Sequence, residues 1–124
     1  MQYSSLMSFL NGLTRPEHLF GEMADELAAC LAAMAKGGSG HVLITNGPDV
    51  IVTRKQVGRL VEALAAGRLP LSAASYIADA LIMSDDFDLA DEAVSEAVFF
   101  LSDDSRPLTL DEVQGLRQRL ASAA

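Results

Sequence analysis

The stretch Val50-Ile51-Val52-Thr53-Arg54-Lys55-Gln56-Val57, VIVTRKQV, changes its character in the middle. Three β-branched residues in a row favour extended chain, because a branched Cβ packs well on a pleated surface and crowds a helical turn. Thr53 and Gln56 are then spaced as a capping box. The Thr hydroxyl accepts from the third amide of a new helix, and the Gln side chain returns to the Thr amide. Val52 and Val57 stand where a hydrophobic staple would place them. The octapeptide reads as the end of a strand and the start of a helix.

Upstream, His41-Val42-Leu43-Ile44-Thr45 is a second β-prone run, separated from the first by Asn46-Gly47-Pro48-Asp49. That pattern predicts a β-hairpin over about 41–53, which must lie against helices because two strands alone are marginal in water. Tyr3, Leu6, Met7 and Leu10 follow helical spacing, and Asn11-Gly12 ends that helix. Thr14-Arg15-Pro16-Glu17 reads as another capping box, with Thr14 as N-cap. It opens a helix to about Lys36 with the stripe Phe20, Met23, Leu27, Cys30, Leu31 and Met34, stopped by Gly37-Gly38-Ser39-Gly40.

Downstream, the helix begun at Thr53 carries Val57, Leu60, Val61 and Leu64 and ends at Gly67. Ser72 is expected to cap a helix from Ala73 to Met83. Its only charge is Asp79, which marks it as the most buried of the set. Asp79 is expected to be a structural charge, either a buried anchor that Arg59 or Arg68 could pair or a boundary position facing water. Leu89 to Leu101 shows Ala93, Val94, Ala97, Val98 and Leu101 on one face and Asp91, Glu92 and Glu96 on the other. Thr109-Leu110-Asp111-Glu112 is a third capping box, with a Leu108 to Val113 staple and a helix bearing Leu116 and Leu120. The expectation is a mainly α fold: about six helices in one orthogonal or irregular bundle, with the small hairpin, as a single domain over 1–124.

Half the residues are hydrophobic, there is no Trp, and the formal charge is −8. That charge is uneven. Ten acidic residues lie between Asp85 and Glu112, with Arg106 the one base among them. A field of that sign repels nucleic acid and anionic membranes and attracts basic proteins. Cys30 is the single cysteine, so no intramolecular disulfide forms, and a reducing cytoplasm is the expected compartment. MQYSSLMSFLNG carries no basic side chain and is not read as a secretory signal. The longest apolar run falls short of the roughly 20 residues that span a bilayer.

Catalytic signatures are not found. A calcium loop aligned on Asp86 and Asp88 fails at Ala90 and Asp91, where a ligand and a glycine are required. His18, His41 and Cys30 show no zinc spacing, so no metal is expected, and no cofactor. Gly37 to Gly40 follows a helix instead of a strand and lacks the lysine of a phosphate loop. Cys30 sits mid-stripe, where a thiol stays neutral. Residues 53–83 could be read as a helix-turn-helix around Gly67. Its second helix offers no Arg, Lys, Asn or Gln to read bases, so a DNA-binding regulator ranks low.

Three stretches carry a likeness: the Val52-Thr-Arg-Lys-Gln56 helix start, Tyr76-Ile-Ala-Asp-Ala-Leu81 with Ser84-Asp-Asp-Phe87, and Phe100-Leu-Ser-Asp-Asp-Ser-Arg-Pro-Leu-Thr109. Over residues 50–112 they resemble small acidic helical proteins of bacterial toxin–immunity systems, of the contact-dependent inhibition and colicin-type kinds. The resemblance implies a cytoplasmic inhibitor that binds a toxic nuclease and does no chemistry itself. The charge map independently suggests a binding surface from Asp85, Asp86, Asp88, Asp91, Glu92, Glu96, Asp103 and Asp104, with Phe87, Leu89 or Tyr3 as an apolar anchor; stabilisation of helix starts is the other account of Asp88, Asp91, Asp111 and Glu112. The alternative is a small-molecule-binding or housekeeping helical domain, monomeric or a homodimer through Ala-rich faces.

Overall fold

The junction at Thr53 forms as its residues dictate. In the computed structural model, which describes residues 1–35, 44–103 and 108–121, the Thr53 amide donates to Gln56 Oε1 (2.9 Å) and the Gln56 amide to Thr53 Oγ1 (3.3 Å). The chain runs α1 (Tyr3–Leu10), α2 (Pro16–Ala35), β1 (Val50–Val52), α3 (Arg54–Ala65), α4 (Leu71–Met83), β2 (Phe87–Leu89), α5 (Glu92–Ser102) and α6 (Leu110–Ala121). The fold is mainly α, with six helices among the described residues.

The strand at Val50–Val52 forms, but its partner is not the run before it. β1 pairs in parallel with β2, in the register Val50 to Phe87, Ile51 to Asp88 and Val52 to Leu89. The Val50 amide donates to the Asp86 carbonyl (2.8 Å) and the Ala90 amide to the Val52 carbonyl (3.0 Å). Of the expected hairpin, His41 to Leu43 lie outside the described residues, and Ile44 to Asp49 form no strand. A parallel pair needs a long crossover, and α3 with α4 supplies it. Each strand runs directly into a helix, β1 into α3 and β2 into α5, and those two helices pack against each other.

Asn46-Gly47-Pro48-Asp49 does not serve as a hairpin turn because its polar groups have tertiary partners. The Gly47 amide donates to Asp86 Oδ2 (3.0 Å), and the Tyr3 hydroxyl donates to the Pro48 carbonyl (2.6 Å). The Tyr3 amide donates to Thr45 Oγ1 (2.8 Å). The Tyr3 ring stacks on Phe87, with centroids 5.5 Å apart and planes 17° apart. A Cβ on Gly47 would overlap the Tyr3 ring, so only glycine lets the loop lie this close.

α4 packs on α5 and α3 on α6, while α1 and α2 cover the remaining sides, α1 against α3 and α2 against α4. One buried cluster takes side chains from every helix, among them Leu6, Leu19, Leu60, Ile77, Val98 and Leu116. α4 is the buried helix expected of it: Ala73, Ala74, Ser75, Tyr76, Ile77, Ala78, Ala80 and Leu81 are all inside. Its alanines let α5 approach closely. Ser75 Oγ donates to the Leu101 carbonyl in the last turn of α5 (2.6 Å), where the carbonyl has no helical partner. Asp79 is half-buried, at a boundary position and not a fully internal one, and Arg68 pairs with Glu17 (2.9 Å).

Local details differ from one helix start to the next. The capping box at Thr109 forms, with the Glu112 amide donating to Thr109 Oγ1 (3.2 Å) and the Thr109 amide to Glu112 Oε1 (3.1 Å). At Thr14 it does not. The Arg15 carbonyl accepts from His18 (3.1 Å) and Leu19 (3.3 Å), and Pro16 takes the first helical position, where its missing N–H costs nothing. The inner face of α2 rotates accordingly: Leu19, Met23 and Leu27 are buried, and Leu31 is exposed. α4 starts at Leu71, ahead of Ser72, with Pro70 as N-cap.

Ser75→Ala leaves a buried carbonyl unsatisfied and is expected to lower unfolding free energy by about 1–3 kcal/mol, read as a reduced urea midpoint. Gly47→Ala forces the Tyr3 ring off the loop and is expected to cost about 1–3 kcal/mol as an overpacked contact. Near-ultraviolet circular dichroism of the Tyr3–Phe87 pair should change in Gly47→Ala and stay native in Ser75→Ala.

Candidate functional site

The carboxylates expected to form one surface divide by their local geometry. The β2 segment alternates, as a strand must: Phe87 is buried, Asp88 points outward and Leu89 turns back toward the core. Phe87 is therefore a core residue, corrected from its expected role as an exposed anchor. Leu89 and Tyr3 also pack on the core. Asp86 is spent on the Gly47 amide, while Asp85 is exposed at the turn entering β2.

Asp91 closes two helix starts at once. Its Oδ1 accepts from the Val94 amide at the N-terminus of α5 (3.0 Å), and its Oδ2 accepts from Arg54 Nε at the start of α3 (2.8 Å). The Val94 amide, and after it Arg54, hold the Asp91 carboxyl below the usual aspartate range, because both favour the charged form. This residue belongs to the scaffold and not to a free surface. The α5 helix begins after it, at Glu92, because Leu89 is committed to β2.

Glu92 and Glu96 fall on the outer side of α5, about one helical turn apart, and Asp103 is the exposed C-cap just beyond its last turn. Phe99 lies in the same row and is 56% exposed, large for an aromatic. Glu96 makes an ion pair with Arg119 of α6. Between α5 and α6 lies a concavity of about 540 Å³, lined by Phe99, Phe100, Leu108 and Leu116 with Glu96, Asp103 and Arg119. It has an apolar floor and a charged rim. Asp104 lies outside the described residues.

The α5 row thus brings together Glu92, Glu96 and Asp103, and replaces Phe87 with Phe99 as the exposed aromatic. The signal for Phe99 was present in the sequence. It sits three residues after Glu96 and four before Asp103, on the polar side of a helix whose apolar side was already assigned. Asp85 and Asp88 form a second group around β2, near exposed apolar side chains of the neighbouring elements: Ile51, opposite Asp88 in the ladder, is 61% exposed, and Met83 is 68% exposed.

Other chemistry finds little footing. Among the described residues no group of three or more His, Cys, Asp or Glu is placed to hold a metal. His18 pairs with Glu22 in the next turn of α2 (3.2 Å), and Cys30 is half-buried. α4, the second helix of the segment read as a helix-turn-helix, is enclosed by its neighbours and presents no reading face. No helix among the described residues is long and apolar enough to cross a membrane. No family model, no curated protein and no solved structure matches this chain.

The lowered Asp91 ionisation gives a signed pH dependence. Its stabilisation is fully present above the ordinary carboxylate range, around pH 4, and is lost as pH falls through the lower folded-state value. Asp91→Asn is expected to lower the thermal midpoint at pH 7. The gap to the parent should narrow as pH falls below the ordinary carboxylate range, measured by thermal melts at stepped pH.

Proposed function

We propose that this chain is a non-enzymatic binding protein that offers the outer face of α5 to a basic protein partner, in the manner of an immunity protein that neutralises a nuclease-type toxin in the cytoplasm. The observation that carries the reading is Phe99, more than half exposed in a row with Glu92, Glu96 and Asp103. Aromatic side chains are the usual anchors of protein interfaces, and they act best inside a polar rim that excludes water. The concavity beside Phe99 would take an apolar side chain of the partner, while the exposed Glu92 and Asp103 would face its basic groups. Asp85, Asp88 and Glu92 carry no ion pair among the described residues, and they add long-range attraction.

A nuclease surface built for a polyanion is complementary to such a face, and the likeness to toxin–immunity proteins over residues 50–112 points to the same class of partner. The reading asks nothing of catalysis. It asks for a rigid helix carrying one aromatic anchor and a salt-sensitive field.

The test is a search of the genes flanking this chain's own for a basic toxin domain, followed by titration against that domain at low and at physiological salt. Phe99→Ala is expected to weaken binding by about 2 kcal/mol or more through faster dissociation, as loss of a central anchor does. Glu92→Lys with Asp103→Lys is expected to slow association on the order of tenfold and to flatten its salt dependence. A neighbouring gene with no toxin domain, or affinity unchanged in both variants, overturns the proposal.

A further inference from the structure

We infer a second site that the acidic face does not use: a groove between α3 and α6, closed by the end of α1, that binds a small organic anion with an apolar body. The groove holds about 630 Å³, inside the usual range for small-molecule sites. Phe9, Ala63 and Leu120 supply apolar walls, all three being buried core residues reached from the groove. Three arginines on its rim are already neutralised: Arg54 by Asp91 (2.8 Å), Arg68 by Glu17 (2.9 Å) and Arg117 by Glu62 (2.6 Å). Lys55 and Arg59 are not. They stand one turn apart on α3, line the groove, and have no carboxylate partner among the described residues. Two like charges left at (i, i+4) in a chain of net charge −8 repel each other, and an anion between them removes that repulsion.

Two glycines shape this site for different reasons. Gly12 has φ +76°, a turn that L side chains rarely adopt, and the Arg59 guanidinium lies across its bare Cα, with Cζ 2.7 Å from where a Cβ would stand. Arg59 is held over the groove by that contact, which reduces the ordering needed when a ligand arrives. Gly58 lies in the interior of α3 without any such need. Its φ is ordinary, and an added Cβ would meet nothing within 4 Å. Glycine is a poor helix former, so its place there weakens α3 relative to alanine. What its missing side chain provides is open space, between Lys55 and Arg59 in sequence and on the groove wall in space.

The ligand chemistry follows from these walls. One anionic group, carboxylate, sulfonate or phosphate, sits between Lys55 and Arg59, and an aliphatic or aromatic body lies on Phe9, Ala63 and Leu120. The Arg59 fork suits a planar carboxylate and Lys55 adds a point charge.

Decanoate and decan-1-ol, which share a chain and differ in charge, serve as probes in calorimetric titrations of the intact protein. Decanoate is expected to bind one site at least tenfold more tightly than the alcohol. Lys55→Gln with Arg59→Gln is expected to erase that preference. Gly58→Leu is expected to raise the thermal midpoint, since leucine is the better helix former and the added Cβ meets nothing within 4 Å, while the rest of its side chain blocks decanoate. Retention of decanoate binding in Gly58→Leu, equal binding of the two probes by the parent, or a preference that survives the double Gln variant overturns the inference. A folded Gly58→Leu protein with lost binding cannot be ascribed to unfolding, so the site and the scaffold are read separately.

Discussion

The parallel pairing of Val50–Val52 with Phe87–Leu89 sets the arrangement of nearly everything else. Two three-residue strands contribute few hydrogen bonds, and a pair this short is not stable alone. Its value is geometric. Each strand delivers the chain into a helix within a few residues, so the start of α3 and the start of α5 are brought side by side. Asp91 then joins them, accepting from an amide of one helix and from the first side chain of the other. With those two helices placed, α4 has one site left against α5, and α6 lies on α3. The buried alanines of α4 and the hydrogen bond from Ser75 to Leu101 fit that placement.

The helices were legible because their signals are local. The capping boxes at Thr53 and Thr109 need only residues three apart, and both form as their spacing requires. The burial of α4 was equally plain from a helix holding one charge. At Thr14 the same pattern failed for an identifiable reason: Pro16 is better placed at the first helical position, which moves the N-cap to Arg15 and frees Glu17 to meet Arg68. Strand pairing was not legible. Asn46-Gly47-Pro48-Asp49 resembles a turn locally, and nothing within it announces that Tyr3 and Asp86 will take up its hydrogen bonds.

The candidate site shows the same division. The acid density around Phe87 suggested an exposed loop, yet Phe87-Asp88-Leu89 has the period of a half-buried strand, and that period decides which side chains face water. Asp91 fits a helix start on local grounds, and it caps α5, but its second partner, Arg54 on another helix, is invisible to composition. Glu92 and Glu96 kept their expected outward position because helical spacing alone determines it. Phe99 was overlooked because an aromatic residue on the polar side of an amphipathic helix carries meaning only once the packing of α5 is known.

Net charge is a poor guide to what any one surface of this chain attracts. At physiological salt, fields between exposed charges fade over about 8 Å, so each patch is governed by its own neighbours. Internal pairing has removed Asp91, Glu17, Glu62 and Glu96 from the acidic total and four arginines from the basic one. Among the charges outside those pairs, Asp85, Asp88 and Glu92 lie toward β2 and the start of α5, and Lys55 and Arg59 on the groove along α3. A chain with a formal charge of −8 can therefore present an electropositive groove and an electronegative helix face together. The groove stays positive because the carboxylates that meet its rim, Glu17, Glu62 and Asp91, are each matched by an arginine, which leaves Lys55 and Arg59 over.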